Sequence, residues 1–173
     1  MKKILFATYM IFLKILFYVN HRIYMRFFLK YLKLRGCQVT GTPRYIGVHV
    51  KFDNYSNIKI GHQTTISDEC HLLTHDYSIT NVMRANGVQI VKDIALERQI
   101  EIGNNVFIGK KSIIMPNAKI GDNVIIGAGS VVRGTVPPNA VWCGNPAQCI
   151  SSTKELYLKW VKYMNDDIIR TDR

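Results

Sequence analysis

An aliphatic side chain recurs at every sixth position through the C-terminal half of this 173-residue chain. The series consists of Ile102, Ile108, Ile114, Ile120, Ile126 and Val132. A small or β-branched residue stands four positions after each member, and an earlier stretch keeps the same spacing at Ile60, Ile66 and Leu72. A period of six is neither the 3.6 of an α-helix nor the alternation of a single strand, and it is typical of parallel β-helices.

Each six-residue unit predicts one short strand and one turn, so three units close a triangular coil of about 18 residues. The aliphatic side chain points inward and stacks on its counterpart one coil away, and the small residue fits the inner corner. Glycine and asparagine recur beside the ladder because the turns favour residues that tolerate positive φ. A single unit cannot bury its apolar side chain alone. The repeat therefore predicts a mainly β fold, with a β-helix domain over residues 37–150.

The ladder is interrupted once, by an excursion over residues 76–99. Long loops on rigid scaffolds commonly carry function. His75 stands at the edge of this break, in the sequence LTHDYS, and histidine is the usual general base near neutral pH. His75 is therefore a candidate base, and a turn histidine bonded only to its neighbours is the alternative.

Four segments resemble the hexapeptide-repeat acyltransferases: IEIGNNVFIG, PNAKIGDNVIIGAGSVV, VPPNAVWCGNPA and LLTHDYS. The resemblance covers about residues 40–150 and is closest to small sugar and polysaccharide O-acetyltransferases of the galactoside, maltose and colanic-acid types. It implies left-handed coils, which are an exception to the right-handed crossover rule. It also implies acetyl-CoA as donor, no metal, and a homotrimer whose active sites lie between subunits.

By this resemblance, His75 takes the proton from a sugar hydroxyl, and a backbone N–H near Gly109 and Lys110 holds the oxyanion. Asp76 either orients His75 or is a surface turn residue. Asp53 and Asn54 stand where relatives contact the acceptor, or are ordinary turn residues. The positions that match donor-binding residues of the family are Phe107, Gly109, Lys110, Ala128, Arg133 and Pro138. Gln148 departs from the pattern because relatives usually carry Lys or Arg there, which puts one phosphate contact in doubt.

Residues 1–36 form a separate arm with eight basic side chains and no acidic one before Gly36, whereas the rest of the chain nets only +3. The positive charge is therefore a property of the arm and not a nucleic-acid footprint on the folded body. Residues 4–19 are almost wholly apolar, but Lys14 interrupts the run, no signal cleavage site follows, and a membrane span needs about 20 apolar residues.

On a single helix the basic residues of the arm form one stripe beside apolar faces: Lys14, Arg22, Arg26, Lys30 and Lys33. This pattern predicts an amphipathic helix, ending near Gly36, that lies on the anionic cytoplasmic face of the plasma membrane. Packing on its own domain or on a neighbouring subunit, and a true span, are the alternatives. The arm favours a membrane-bound acceptor such as a lipid-linked glycan.

The C-terminal segment, residues 151–173, opens with Ser152 and Glu155 in capping-box spacing, which predicts a helix that covers the open end of the coil. The four cysteines lack the spacing of a metal site and predict reduced thiols in the cytoplasm.

Three other functions remain open at this stage. A γ-type carbonic anhydrase needs three histidine ligands, and the spacing of His71 and His75 does not match that family. A serine acetyltransferase would carry a long helical N-terminal domain. A non-catalytic β-helix module is the third, because fold alone does not determine function.

Overall fold

A computed structural model of the chain describes residues 2–164, and the side chains of residues 4–164. Residues 165–173 of the C-terminal segment lie outside the described residues. Helices α1 (Lys2–Val19) and α2 (His21–Leu34) precede the coil, α3 (Ser78–Ala85) interrupts it, and α4 (Thr153–Trp160) follows it. Short 3-10 helices span Tyr55–Asn57 and Val161–Tyr163.

The strands, numbered in chain order, form three sheets that are the sides of a triangular coil. Face A contains β1 (Gln38–Val39), β4 (Ile58–Ile60), β9 (Ile100–Ile102), β12 (Lys119–Ile120) and β15 (Thr135–Val136). Face B contains β2 (Tyr45–Ile46), β5 (Thr65–Ile66), β10 (Phe107–Ile108), β13 (Ile125–Ile126), β16 (Ala140–Gly144) and β17 (Ala147–Ser152). Face C contains β3 (Lys51–Phe52), β6 (His71–Leu72), β11 (Ile113–Ile114) and β14 (Val131–Val132). The strands pair in parallel except that β17 is antiparallel to β16, and the fold is the predicted left-handed parallel β-helix.

The six-residue ladder forms the core, as predicted. Ile102, Ile108 and Ile114 pair in register with the ladder residues 18 positions further on. All six ladder side chains are at most 3% exposed, and the small residues that follow them fill the inner corners. Burying an aliphatic side chain of this size stabilises the fold by roughly 1.5–3 kcal/mol, so the stacked ladder is the main source of stability in the coil.

The corners between faces A and B carry a column of asparagines with positive φ. Asn105, Asn123 and Asn139 have φ values of 52°, 57° and 60°. Their side-chain amides donate in sequence up the column, from Asn105 to Asn123 at 2.9 Å and from Asn123 to Asn139 at 3.0 Å. Asparagine tolerates this backbone conformation better than most residues, and here its side chain also links successive coils.

The N-terminal arm is a helical hairpin and not the single helix expected from the basic stripe. Asn20 breaks the helix because its backbone is extended and its side-chain oxygen accepts the N–H of Ile23 at 3.0 Å, which caps a new helix. α1 folds back along α2 with contacts such as the edge-to-face pair of Phe12 and Phe27. Lys14 therefore lies on a different helix from the other basic residues, and one continuous stripe does not form.

α2 packs on the first coil, so the alternative of packing on its own domain holds for this helix. The buried Tyr24 hydroxyl donates to the carbonyl oxygen of Ile46 at 2.9 Å, and Phe28 lies edge-on to Phe52. The helix ends as predicted before Gly36, whose φ is +94°. The N–H groups of residues 36 and 37 close the helix end by donating to carbonyl oxygens of its last turn.

α1 leaves an apolar face exposed, which consists of Ile4, Leu5, Ile11, Phe12, Ile15, Tyr18 and Val19. Its opposite face, centred on the fully buried Leu13, packs against α2 and the first coil. Within residues 2–164, no helix is long and apolar enough to cross a membrane.

The excursion leaves and re-enters the coil without disturbing its register. Leu72 pairs with Ile114, 42 residues later, where an uninterrupted coil takes 18. Strands β7 (His75–Asp76) and β8 (Leu96–Glu97) pair antiparallel at its base, and α3, which the sequence did not predict, lies between them. The buried Thr80 hydroxyl joins α3 to the returning chain through both backbone groups of Ile94, each at 2.9 Å.

The C-terminal helix begins with the predicted capping box. The Ser152 hydroxyl accepts the N–H of Glu155 at 3.1 Å, and the Glu155 carboxylate accepts the N–H of Ser152 at 3.0 Å. The expectation that this helix covers the open end of the coil is wrong for the described residues, because no side chain of α4 is buried. Instead β17 folds back on β16 and occupies the edge of face B.

Candidate active site

Two histidines share one carboxylate at the corner between faces C and A, where the excursion leaves the coil. The Oδ2 atom of Asp53 lies 3.3 Å from Nδ1 of His75, and its Oδ1 atom lies 3.0 Å from Nε2 of His71. The side chain of Asp53 is 14% exposed and that of His75 is 37% exposed. The carboxylate is therefore shielded behind an imidazole that solvent reaches.

Strand register brings these residues together. Asp53 directly follows β3, and His71 belongs to β6, which pairs with β3 in register. The next turn supplies Thr74, which is fully buried and donates its N–H to Asp53 Oδ2 at 3.3 Å. The Thr74 hydroxyl in turn accepts the N–H of Asn54 at 3.1 Å. Two consecutive coils thus hold the carboxylate in place.

The contact with Asp53 determines which nitrogen of His75 is available. A carboxylate at Nδ1 favours the tautomer with hydrogen on Nδ1, which leaves the lone pair on Nε2. Within residues 2–164, Nε2 of His75 has no hydrogen-bond partner, and Tyr77 lies edge-on to the ring at 5.3 Å between centroids. The arrangement can therefore accept a proton at Nε2 while Asp53 stabilises the resulting charge.

Asp76 and Asn54 both use their side chains in local turns. The Asp76 carboxylate accepts the N–H of Ser78 at 2.8 Å, next to the start of α3. The pKa of Asp76 is lowered mainly by this backbone N–H and to a lesser degree by the charge of Arg133. Asn54 caps a 3-10 helix by accepting the N–H and hydroxyl of Ser56. The structure thus pairs His75 with Asp53, a contact the sequence did not indicate, and not with Asp76.

The six predicted donor-binding residues lie on different sides of the triangular cross-section. Phe107 is exposed on face B, and Arg133 and Pro138 lie at the C–A and A–B corners. Gly109 and Ala128 stack at the B–C corner, beside Lys110. A Cβ added at Gly109 would lie 2.4 Å from the backbone nitrogen of Ala128. A ligand that ran along one side of a single chain could not contact all six.

The backbone around Gly109 offers one open donor. The N–H of Gly109 donates to the carbonyl oxygen of Ile126 at 2.8 Å, and the N–H of Lys111 donates to Asp68 at 3.2 Å. The N–H of Lys110 between them has no partner within residues 2–164. The Lys110 side chain forms an ion pair with Glu69 at 3.0 Å, a hydrogen bond that raises the pKa of the lysine.

Two grooves adjoin these groups. A groove of about 540 Å³ on face C is lined by His49, Lys51, Glu69, His71, Lys111 and Ile113. A groove of about 410 Å³ on face B includes Phe107 and the asparagine column. Within residues 2–164, no group of three or more histidine, cysteine or acidic side chains is arranged to hold a metal ion, so these residues do not form the ligand set that a carbonic anhydrase requires.

Comparison with known proteins supports the fold and the repeat. Residues 99–134 match the family model of the bacterial transferase hexapeptide (six repeats). Protein CapG of Staphylococcus aureus is 46% identical over 99 residues, which is 55% of this chain and 52% of that protein. The chain thus spans about half the length of this curated relative.

Solved structures give a similar picture. A hexapeptide-repeat-containing acetyltransferase from Vibrio cholerae O1 biovar eltor, complexed with acetyl coenzyme A, is 26% identical with a TM-score of 0.52, over 60% of this chain and 54% of that one. A galactoside acetyltransferase in complex with coenzyme A is 24% identical with a TM-score of 0.63, over 97% and 90% of the two chains. At this lower identity the second likeness shows the fold alone. The chain carries bacterial transferase hexapeptide repeats on a left-handed β-helix.

Proposed function

We propose that this protein is an O-acetyltransferase that moves an acetyl group from acetyl-CoA to a hydroxyl of a sugar or glycan. The observation that carries the proposal is the contact between Asp53 and Nδ1 of His75, because it leaves Nε2 available as a base. The repeat match and the likeness to a Vibrio cholerae acetyltransferase solved with acetyl-CoA support the choice of donor.

In the proposed reaction, Nε2 of His75 accepts the proton of the acceptor hydroxyl as its oxygen attacks the thioester carbonyl carbon. The tetrahedral oxyanion then collapses, the carbon–sulfur bond breaks, and the imidazolium returns its proton to the departing thiolate. Asp53 stabilises the imidazolium through Nδ1. An alcohol and a thioester thus become an ester and a thiol, with no covalent enzyme intermediate. The open N–H of Lys110 is the donor we propose for the oxyanion, since that of Gly109 is already bonded.

We propose that the active site forms between subunits of a homotrimer. His75 lies at the C–A corner and Lys110 at the B–C corner of the same coil, so the base and the proposed oxyanion donor of one chain face different sides. A neighbouring copy that presented its B–C corner to His75 would complete the site. The other predicted donor residues, Phe107, Ala128, Arg133 and Pro138, would then line one groove from two chains.

The direct test is release of coenzyme A thiol from acetyl-CoA by the purified protein with a panel of mono- and oligosaccharide acceptors. We expect sugar-dependent turnover that His75→Ala abolishes. Turnover by His75→Ala at the wild-type rate would refute the base. If L-serine is acetylated in place of every sugar, the protein is a serine-type acetyltransferase instead.

A mixing experiment tests the shared site. His75→Ala subunits and subunits carrying Gly109→Arg, which obstructs the B–C corner, should each be inactive. Mixed trimers formed from both should recover activity, because some interfaces then pair an intact His75 with an intact corner. If mixed trimers stay inactive although each variant is folded, the site lies within one chain.

We further propose that the hairpin rests on an anionic membrane, on the cytoplasmic side, where a lipid-linked glycan would be the acceptor. The exposed face of α1 is apolar, and the neighbouring outer side of α2 carries Arg22, Arg26, Lys30 and Lys33. The first 35 residues contain no acidic side chain. Apolar side chains beside a basic border suit the interface of an anionic bilayer.

Flotation with vesicles of phosphatidylglycerol and phosphatidylcholine tests this surface. Ile15→Glu on α1 should abolish flotation, whereas Leu158→Glu on α4 should not, although both side chains are 60% exposed. Vesicles of phosphatidylcholine alone should bind more weakly. If Ile15→Glu changes the oligomeric state and leaves flotation intact, a second copy covers this face and the membrane proposal is wrong.

A further inference from the structure

We infer that His71 is a positioning residue for the proposed base and acts through the carboxylate of Asp53. The inference rests on the proposed function of the site. Sequence reasoning considered His71 only as a metal ligand, but the structure places its Nε2 atom 3.0 Å from Asp53 Oδ1, on the side of the carboxylate opposite His75. One carboxylate therefore joins two imidazoles.

Asp53 depends on His71 for its shortest contact. The other two contacts of the carboxylate, with the N–H of Thr74 and with Nδ1 of His75, are both 3.3 Å long and both use Oδ2. Within residues 2–164, Oδ1 has no hydrogen-bond partner except His71. Without His71 the carboxyl group would be held on one side only. It could then rotate away from the geometry that directs the Nδ1 proton of His75.

His71 is itself placed by rigid backbone. It lies on β6 in the middle of face C, with β3 on one side and β11 on the other. Its N–H donates to the carbonyl oxygen of Ser112 at 2.9 Å. The ring is about one-third exposed, and within the described part of the chain Asp53 is its only hydrogen-bond partner. A histidine on a strand that donates to a loop carboxylate transmits the position of the sheet to that carboxylate.

A second histidine–aspartate pair in the same coil provides a contrast. Nδ1 of His49 lies 2.7 Å from Asp68 Oδ2, and the backbone N–H of His49 donates to Oδ1 of the same carboxylate at 2.7 Å. Both carboxylate oxygens thus bind one residue in a turn, and no second imidazole follows. The His49–Asp68 pair is a structural turn contact, and it is the matched control for the His71–Asp53 pair.

The test measures steady-state kinetics of four variants with acetyl-CoA and the best sugar acceptor. His71→Ala should lower kcat about 10- to 100-fold, the usual cost of losing a residue that orients a catalytic group, and leave KM for acetyl-CoA unchanged. His71→Gln should recover most of the loss, because its amide can donate at the position of Nε2. His49→Ala should keep the wild-type kcat. In Asp53→Asn, adding His71→Ala should cause little further loss, since residues that act as one unit are not additive.

Wild-type kcat in His71→Ala, or additive losses with Asp53→Asn, would overturn the inference. A loss in His71→Ala that His71→Gln does not recover would also overturn it, because general damage to the strand would then be the cause. The proposed function fails separately, when His75→Ala turns over as fast as wild type. An inactive His75→Ala together with a fully active His71→Ala would reject the positioning role alone.

Discussion

Replacing Asp53 by asparagine would keep the shape of the side chain and remove the negative charge between the two imidazoles. The amide nitrogen must then face one of the two rings, and that ring must present a lone pair in place of an N–H. If the ring is His75, its proton moves to Nε2 and blocks the atom that we propose as the base. If the ring is His71, His75 keeps its tautomer but loses the charge that stabilises its imidazolium.

The expected magnitude follows from the geometry. Two unit charges about 4 Å apart interact by about 1 kcal/mol in bulk water and about 4 kcal/mol at an effective dielectric constant near 20. The contact between Asp53 and His75 is 3.3 Å long with side chains 14% and 37% exposed, so it lies between these limits. We expect a loss of about 2–3 kcal/mol of transition-state stabilisation, or about 30- to 150-fold in kcat.

The assay is thiol release from acetyl-CoA at saturating donor, with kcat and acceptor KM determined separately for Asp53→Asn. Asp68→Asn, which alters the turn pair with His49, is the control and should keep the wild-type kcat. A kcat within about twofold of wild type would refute the argument. A raised acceptor KM with unchanged kcat would support instead the acceptor-contacting role that the family resemblance implied.

Three further predictions concern the coil, the C-terminal helix and the thiols. Gly109→Ala should destabilise the fold by about 1–3 kcal/mol in urea unfolding, because its Cβ would meet the backbone of Ala128, which cannot move aside as a flexible side chain could; an unchanged midpoint would contradict the packing. Ser152→Ala should cost the C-terminal helix about 1 kcal/mol, visible as faster amide exchange there with the same global unfolding midpoint, since that helix buries no side chain. At pH 8 a thiol reagent should modify the exposed Cys149 and spare Cys37, whose pKa burial raises to about 12; because the unfolded thiol ionises near pH 9 and the folded one does not, stability from this group should fall as pH rises from about 9 to 12.

The regular part of the fold was predictable because its constraint repeats. From Ile102 onward every coil takes 18 residues, so the spacing alone identifies the inward side chains. In the first coil the spacing is irregular: Phe52 pairs with Leu72 after 20 residues, and Val39 pairs with Ile60 after 21. Without a fixed period, the sequence could not show which residues of the first coil lie beside His75.

The contact between Asp53 and His75 was missed for this reason. The sequence gave Asp76 as the partner because it is adjacent, but the side chain of Asp76 turns toward the N–H of Ser78. The break at Asn20 was missed for a different reason. Its signal, a capping asparagine within an otherwise apolar and basic helical pattern, is short and was outweighed by the periodicity on both sides.

The register of the coil on either side of the excursion has a consequence for how such a scaffold can change. The two ends of the excursion meet on one rung, where the N–H of Arg98 donates to the carbonyl oxygen of Thr74 at 2.8 Å. The core above and below is the same as if the inserted segment were absent. A segment of different length or sequence could replace it at the cost of loop closure alone, which grows slowly with length. The coil would then act as a fixed frame that accepts exchangeable parts beside His75, and one rigid scaffold could serve acceptors of different shape.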